Sequence, residues 1–501
     1  MSDEATIDTP YEQVELAQLD CGSAPHVCFQ MTKGKITRNG ATPWYTTLGL
    51  GTPPQELRFM LDTGTINTWI TARSCATPAC QQHRCFDPDV SASFRPGDEP
   101  PTSVSFGPWG SMGVVLGHDS CQLPYVTVEG TRSITLNDSL SLYLSVCYEG
   151  AQFAALACDG GLAIPAVPCE KPTALLEQLQ HQGFITHPLA AFYFDPLRGE
   201  GQCLMGAIDQ HRFELSSCNR LPVISLSGEL SYLWNVNLDL LEIAGAQITT
   251  NGSLTLDTGS SCFKGGKTII ARMLDALTGQ GRRPTRISDP SDLSEYPDIQ
   301  LTLGGQSYTL TPAEYFLSIG PNDWELGVHY LEGLPDELLI VGSVFLDTLY
   351  SIFQYETKAS GLRAVTLANP IRKKICVSGT WENEFGSTLE LGPVASDGTF
   401  RGSYQSHTGA TGRYPVVGVA DPHPVGNNLA VSFSVSWRSL EGPEDPSWHW
   451  VSGFTGLLNL RSGEETLATT YLLQQNISSS VPEWMATAVY PSTFRRKQTT
   501  M

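Results

Sequence analysis

FMLDTGTINTWI, Phe59 to Ile70, runs from an apolar stretch straight into a carboxylate, a hydroxyl and a glycine. The phrase returns as LTLDTGSSCFKGG, Leu254 to Gly266, with its aspartate 195 positions further on (257 − 62). Aspartate is depleted in strands, and Gly after Asp-Thr sets a sharp turn. Each copy therefore presents a carboxylate at a tight loop, with backbone N–H groups free to hold it. One copy alone reads as an ordinary turn. Two copies, each behind an apolar run and each followed by Thr or Ser, read as related lobes that point one carboxylate apiece across a shared cleft. Carboxyls placed that close cannot both ionise, so they share one proton. The ionised member takes a proton from water while the protonated one donates to a carbonyl oxygen. Because the two titrate as a unit, their pKa values belong to the pair. The expected chemistry is amide hydrolysis at acid pH, without a covalent intermediate.

Composition limits what else the repeat can mean. A chain of 501 residues exceeds one ordinary core and implies two or three domains. Hydrophobic content of 41% with 16% charged residues is that of a globular protein. A formal charge of −21 argues against nucleic acid, since nothing would neutralise phosphates. No run of apolar residues is long enough to span a membrane. Cys75 and Cys80, in CATPAC, sit close enough for a short-loop disulfide, with Cys85 nearby. Sequons at Asn137, Asn251 and Asn476 join a generous cysteine count in favouring an oxidising, secretory setting. The N-terminus, MSDEATIDTPYEQVELAQLD, has neither a basic start nor an apolar h-region. The expected location is therefore secreted or vacuolar with the leader removed, and intracellular is the alternative.

Residues 1–39 read as a polar lead-in. From Trp44 to about Leu367, short β-branched and aromatic runs alternate with Gly, Pro, Asn and Asp, which predicts a mainly β region. Helices are expected at Thr173 to Gly183 and at Lys267 to Leu277, where apolar residues fall at helical spacing. The segment 278–297 reads as a polar surface loop, and NPIRKKIC, 369–376, as a basic hinge. Beyond it, closely spaced strands with regular turns predict a small sandwich or closed barrel.

Over residues 40–368 the chain resembles pepsin-like aspartic peptidases. LGLGTPPQELRFMLDTGTINTWI, CATPAC, DPDVSASF, CDGGLAIP, LWNVNLDLLEIAG, LTLDTGSS and LIVGSVFLDTLYSIFQYE follow the family order. The resemblance implies an N-lobe over 40–220, a C-lobe over 221–368, and Asp62 and Asp257 as the dyad. It also implies Thr65 and Ser260 as supports, Trp69 at the family's tryptophan, and the short disulfide loop of CATPAC. There are departures. VSFGPWGSMG puts Phe106 where the flap has a tyrosine, and inserts Pro108 and Trp109. CDGGLAIP is shorter than the family's phrase, Ser343 stands in place of an acid, and no basic prosegment is recognisable. No cofactor or metal is expected; lone histidines such as His118 and His211 lack ligand spacing. The cleft is expected to take a peptide or protein. A scaffold turned to an apolar, non-peptide secondary-metabolite substrate, or a pair of clefts that only bind, are the rivals.

Residues 377–494 resemble the avidin and streptavidin family of eight-stranded biotin-binding barrels, with 495–501 as a tail. GTWENEFGS, GTFRGSYQS, VSFSVSW and PEWMATAVYPSTF carry that likeness. By resemblance, Asn383, Ser387 and Tyr404 would donate to a ureido oxygen and Ser406 would accept from a ureido N–H. Trp437 would form a wall, and Trp484 would be lent to a neighbouring subunit. Val451 and Tyr471 are read as replacing two pocket tryptophans, His449 as lying near a usual threonine, and Ser492 as replacing an aspartate. Biotin or a biotin-like ligand, and a homo-oligomer built through the barrel, are the expected partners.

Overall fold

Strand Gln55–Asp62 buries Leu57, Phe59, Met60 and Leu61 and delivers Asp62 at its end. It lies parallel to Gly160–Ala163, with Asp62 opposite Ala163, and Gly160–Ala163 lies antiparallel to Trp69–Thr71. A Cβ on Gly160 would sit 2.3 Å from the Trp69 carbonyl oxygen, so this crossing requires glycine. The second half repeats the arrangement. Ala246–Leu256 lies parallel to Leu338–Val341, which is antiparallel to Phe263–Gly265. Strands flanked on both sides in this way are buried on both faces, which is why they read as continuous apolar runs.

This computed structural model describes residues 16, 18–107, 109–136, 140–168, 172–355, 363–372, 376–395, 397–407, 412–421, 428–438, 450–461, 464–475 and 487–497. They fall into two compact units, one within Met1–Asp195 and Gly201–Ile371, the other within Pro196–Glu200 and Arg372–Met501. In the first unit, Leu189–Asp195 is buried at every position and pairs with Tyr350–Gln354, which pairs in turn with Ala364–Ala368. Fully buried Trp234 donates from Nε1 to the Ile164 carbonyl at 2.7 Å, tying the second lobe to the crossing strand of the first. The expected helices occur as Leu175–His181 and Lys267–Thr278, the latter ended by Gly279 in the left-handed region at φ 61°. Part of the expected lead-in is structural. His26–Lys33 pairs with Trp44–Leu50 and Cys121–Thr127 and buries Val27, Phe29 and Met31.

The second unit is a closed barrel of eight antiparallel strands, from Gly379–Asn383 to Thr487–Arg496, with Trp381 opposite Arg496 at the closure. Asn428–Ser436 alternates strictly between buried and exposed positions, as a half-buried strand must. Its inward side chains join Trp381, Phe400, Tyr404, Phe454 and Phe494 in one core. Both elements of the expected fold class, the bilobal β domain and the eight-stranded barrel, are thus present.

Candidate active site

The two Asp-Thr-Gly loops face one another. Thr63 N–H donates to Thr258 Oγ1 at 3.0 Å, and Thr258 N–H donates to Thr63 Oγ1 at 2.9 Å. Each hydroxyl then donates onward to the opposite strand, Thr63 to Leu256 O at 2.9 Å and Thr258 to Leu61 O at 2.7 Å. All of these groups are buried, so the cross-link satisfies polar atoms that would otherwise be costly. It also fixes the spacing of the residues beside it.

Those residues are Asp62 and Asp257. Gly64 N–H donates to Asp62 Oδ1 at 2.7 Å, and Gly259 N–H donates to Asp257 Oδ1 at 2.8 Å. The glycines also let the carboxyls approach. A Cβ on Gly64 would lie 2.5 Å from Asp257 Cγ, and one on Gly259 would lie 2.4 Å from Asp62 Cγ. Burial raises the Asp62 carboxyl well above the ordinary range, and the neighbouring Asp257 charge adds to it. Burial also raises Asp257, but the Lys264 charge and the Gly259 amide pull it back. Both carboxyls are raised and titrate as a unit, so the pair holds one shared proton.

A pH dependence follows. A carboxyl raised on folding stabilises the native state while protonated, so that contribution is full below the ordinary carboxylate pKa. It is lost as pH rises through the higher native value. Thermal midpoints of the intact chain should fall as pH climbs from about 4 towards neutrality, and Asp62→Asn should flatten that slope. An equally steep slope in the variant would assign it elsewhere.

The other expected residues are placed as follows. Thr65 Oγ1 accepts from Asn67 N–H at 3.1 Å, and Ser260 Oγ donates to Gly40 O at 3.4 Å. Both hydroxyls stiffen the loops, while the hydrogen bonds that hold the carboxyls come from backbone amides, those of Gly64 on Asp62 and of Gly259 and Ser260 on Asp257. Ser343 Oγ lies 3.3 Å from both Ser260 O and Thr42 Oγ1, bracing the back of the Asp257 loop. Trp69 is buried beneath the flap, the hairpin of Thr102–Ser105 and Ser111–Asp119. Phe106 packs edge-on against Trp69 at 6.3 Å and Phe153 at 5.9 Å. Trp109 packs on Phe153 at 5.4 Å and donates from Nε1 to Asn39 O at 3.1 Å. The indole supplies the flap with a polar anchor that Phe106 cannot. Pro108 lies outside the described residues. Thr65, Trp69, Phe106, Trp109 and Phe153 line a cleft of about 860 Å³ with both aspartates, Lys264 and the apolar Met60, Leu156 and Leu233.

A eukaryotic aspartyl protease family model matches residues 43–365. The chain belongs to the eukaryotic aspartyl protease family. Among relatives of the protease domain, pepsin A of Sus scrofa is 29% identical over 336 residues, covering 65% of this chain and 82% of that protein. Cathepsin E-B of Xenopus laevis is 27% identical over 339 residues, covering 66% and 81%. Pregnancy-associated glycoprotein 2 of Bos taurus is 27% identical over 333 residues, covering 64% and 82%. An avidin family model matches residues 371–497. Membership in the protease family supports a hydrolase of that kind, and such proteases need no cofactor.

In the avidin-like unit, Asn383, Ser387, Tyr404, Ser406, Trp437 and Ser492 are all buried. Asn383 Oδ1 accepts from Ser387 N–H at 2.9 Å, and its Nδ2 donates to Ser492 Oγ at 3.3 Å. Tyr404 is hydrogen-bonded with both Ser387 and Asn383. Trp437 stands edge-on to Tyr404 at 5.6 Å and donates from Nε1 to Ser452 Oγ at 2.8 Å. One expectation is corrected. Val451 does not line the interior: alternation along Trp450–Arg461 leaves it 51% exposed on the outer face, and the inward tryptophan is Trp450. Tyr471 stacks on Phe454 at 4.7 Å. Trp484, His449, Asn137 and Asn476 lie outside the described residues; Asn251 is exposed.

Among the described residues, Cys75–Cys80 forms a disulfide, and no helix is long and apolar enough to cross a membrane. Sequence reasoning missed the Thr63–Thr258 cross-link and Lys264, although both lie within the quoted repeats. The signal available was the second residue of each Asp-Thr-Gly and a charge in an otherwise apolar run.

Proposed function

We propose that the cleft hydrolyses peptide bonds, with Asp62 and Asp257 sharing one proton. The carrying observation is the reciprocal packing of each loop's glycine on the other loop's carboxyl. The ionised member of the pair takes a proton from a water as that water attacks the peptide carbonyl, while the protonated member gives its proton to the carbonyl oxygen. The neutral diol that results collapses when a proton reaches the amine, breaking the C–N bond and restoring the pair. Met60, Leu156 and Leu233 favour apolar substrate side chains beside the scissile bond. The test is digestion of a peptide library from roughly pH 3 to 7, with a pepstatin-type inhibitor as control. Inhibitor-sensitive cleavage at acid pH supports the reading. A protein that binds the inhibitor but cuts no peptide would instead support the scaffold turned to another substrate.

We propose further that the barrel binds a biotin-like cyclic urea and joins chains into an oligomer. The buried, mutually bonded Asn383, Ser387 and Tyr404 support the first part. Exposed Val417, Val419, Val451, Leu457, Leu472 and Val489 on the outer face support the second. Ser492 gives a ureido N–H only a neutral partner, so affinity should fall below what an acid there would provide. Calorimetry on the intact chain should show biotin binding that Ser492→Asp tightens about tenfold or more. Silence towards biotin in both proteins would remove the ligand, and a monomer in sedimentation would remove the oligomer. The Cys75–Cys80 disulfide supports a secreted or vacuolar location.

A further inference from the structure

Lys264 is 8% exposed, yet it lines the cleft. Strand Phe263–Gly265, held between Val328–Tyr330 and Leu338–Val341, carries it there. Its stem runs over Gly40: a Cβ at that position would meet Lys264 Cε at 3.1 Å and Nζ at 3.6 Å. The ammonium ends 5.9 Å from the centre of the Trp109 ring, on the flap. Among the described residues, nothing hydrogen-bonds to the nitrogen and no carboxylate lies within 4.0 Å of it. Glu325 is engaged by Arg38 at 2.7 Å and lies 3.8 Å from His329 Nε2. Burial lowers the pKa of His329, opposite Lys264 in the neighbouring strand, and raises that of Cys262. The remaining charges lining the cleft are Asp62, Asp257 and exposed Glu332, so Lys264 is the one cation among the described lining residues.

A buried ammonium costs solvation that a partner must return. The dyad returns part of it, since the Lys264 charge favours the ionised form of both aspartates. The ammonium also stands over the Trp109 ring and borders the open cleft. We propose that Lys264 is a specificity residue: a peptide substrate places a carboxylate, as an acidic side chain or a free C-terminus, against the cleft-facing side of the Lys264 ammonium, beside Trp109. This rests on the reading of the cleft as a peptidase site. The raised dyad suits such a substrate. The pair keeps its single proton at pH values where a substrate carboxyl, ordinarily near 4.3, is already ionised.

The test uses the intact chain near pH 5.5, with peptides that differ only by Glu or Gln at each position around the scissile bond. A parallel set carries a free or amidated C-terminus, to distinguish the two sources of the carboxylate. Statine-type inhibitors carrying Glu or Gln at the same positions provide a binding readout. In the wild type one acidic position should be favoured about 10- to 100-fold in kcat/KM and in inhibitor affinity. Lys264→Met should bring that ratio to one or below, while Lys264→Arg keeps it. The ratio is read within each protein, so a general loss of turnover does not disturb it. Equal handling of Glu and Gln by a wild type that cuts peptides would overturn the role of Lys264 and leave hydrolysis standing. Absence of cleavage would fail the peptidase reading, and the inhibitor ratios would still decide Lys264.

Discussion

Asp62→Asn and Asp257→Asn should each lower kcat by a factor of about 1,000 or more, with the fold intact by circular dichroism. The reason is the division of labour within the pair. Burial raises both carboxyls, so one member keeps a proton while the other, favoured by the Lys264 charge and the glycine amides, ionises. Asparagine at either position can neither take a proton from water nor supply one to the carbonyl, and the pair loses its shared proton. Neither change removes a partner of the Thr63–Thr258 cross-link, so the loops should stay together. Binding of a pepstatin-type inhibitor should weaken far less than turnover, because the apolar walls are untouched. Near-full turnover in either variant would mean that the two carboxyls do not act as a pair. Full loss in only one would assign the chemistry to a single carboxyl with some other proton donor.

Much of this architecture was legible because two signals were strong. Asp-Thr-Gly behind an apolar run is a rare phrase, and its repetition announced two lobes before any coordinate was known. In the barrel, the alternation of VSFSVSW declared which residues face inward. What escaped reading had physical reasons. Thr63 and Thr258 are ordinary turn residues until the loops are set face to face, and register across two lobes is not written in either. Val451 was placed in the pocket by resemblance, but side chains alternate with period two. An offset of one residue moves Trp450 inward and Val451 out. His26–Lys33 was hidden by Gln30 and Thr32, which are exposed on the face turned away from Val27, Phe29 and Met31. Lys264 went unremarked, since nothing in the sequence distinguishes it from a lysine that faces solvent. Only the tertiary structure encloses it with Gly40 and Trp109.

Gly64→Ala and Gly259→Ala test the geometry of the pair more finely than removing its carboxyls. Neither glycine has a left-handed backbone, so alanine is allowed by the main chain at both. The obstacle is the opposite carboxyl. An added Cβ at 64 would stand 2.5 Å from Asp257 Oδ1, and one at 259 would stand 2.3 Å from Asp62 Oδ1. Real Cβ atoms do not approach that closely, so either the loops part or the carboxyls turn away. The Thr63–Thr258 cross-link and the amide bonds to Oδ1 resist both movements. A displacement of about 1 Å at reacting groups costs on the order of 100-fold in rate, and each variant should lose at least that much in kcat. The thermal midpoint should fall as well, because the strain lies in a buried, hydrogen-bonded loop. Gly453→Ala in the barrel, where an added Cβ meets nothing within 4 Å, is the matched control and should change neither quantity. Should Gly64→Ala keep wild-type kcat, the close approach of the two loops would be a packing detail, and proton sharing would need no such contact. Loss of rate in both loop variants, with the control unchanged, would tie catalysis to the contact between each glycine and the carboxyl it faces.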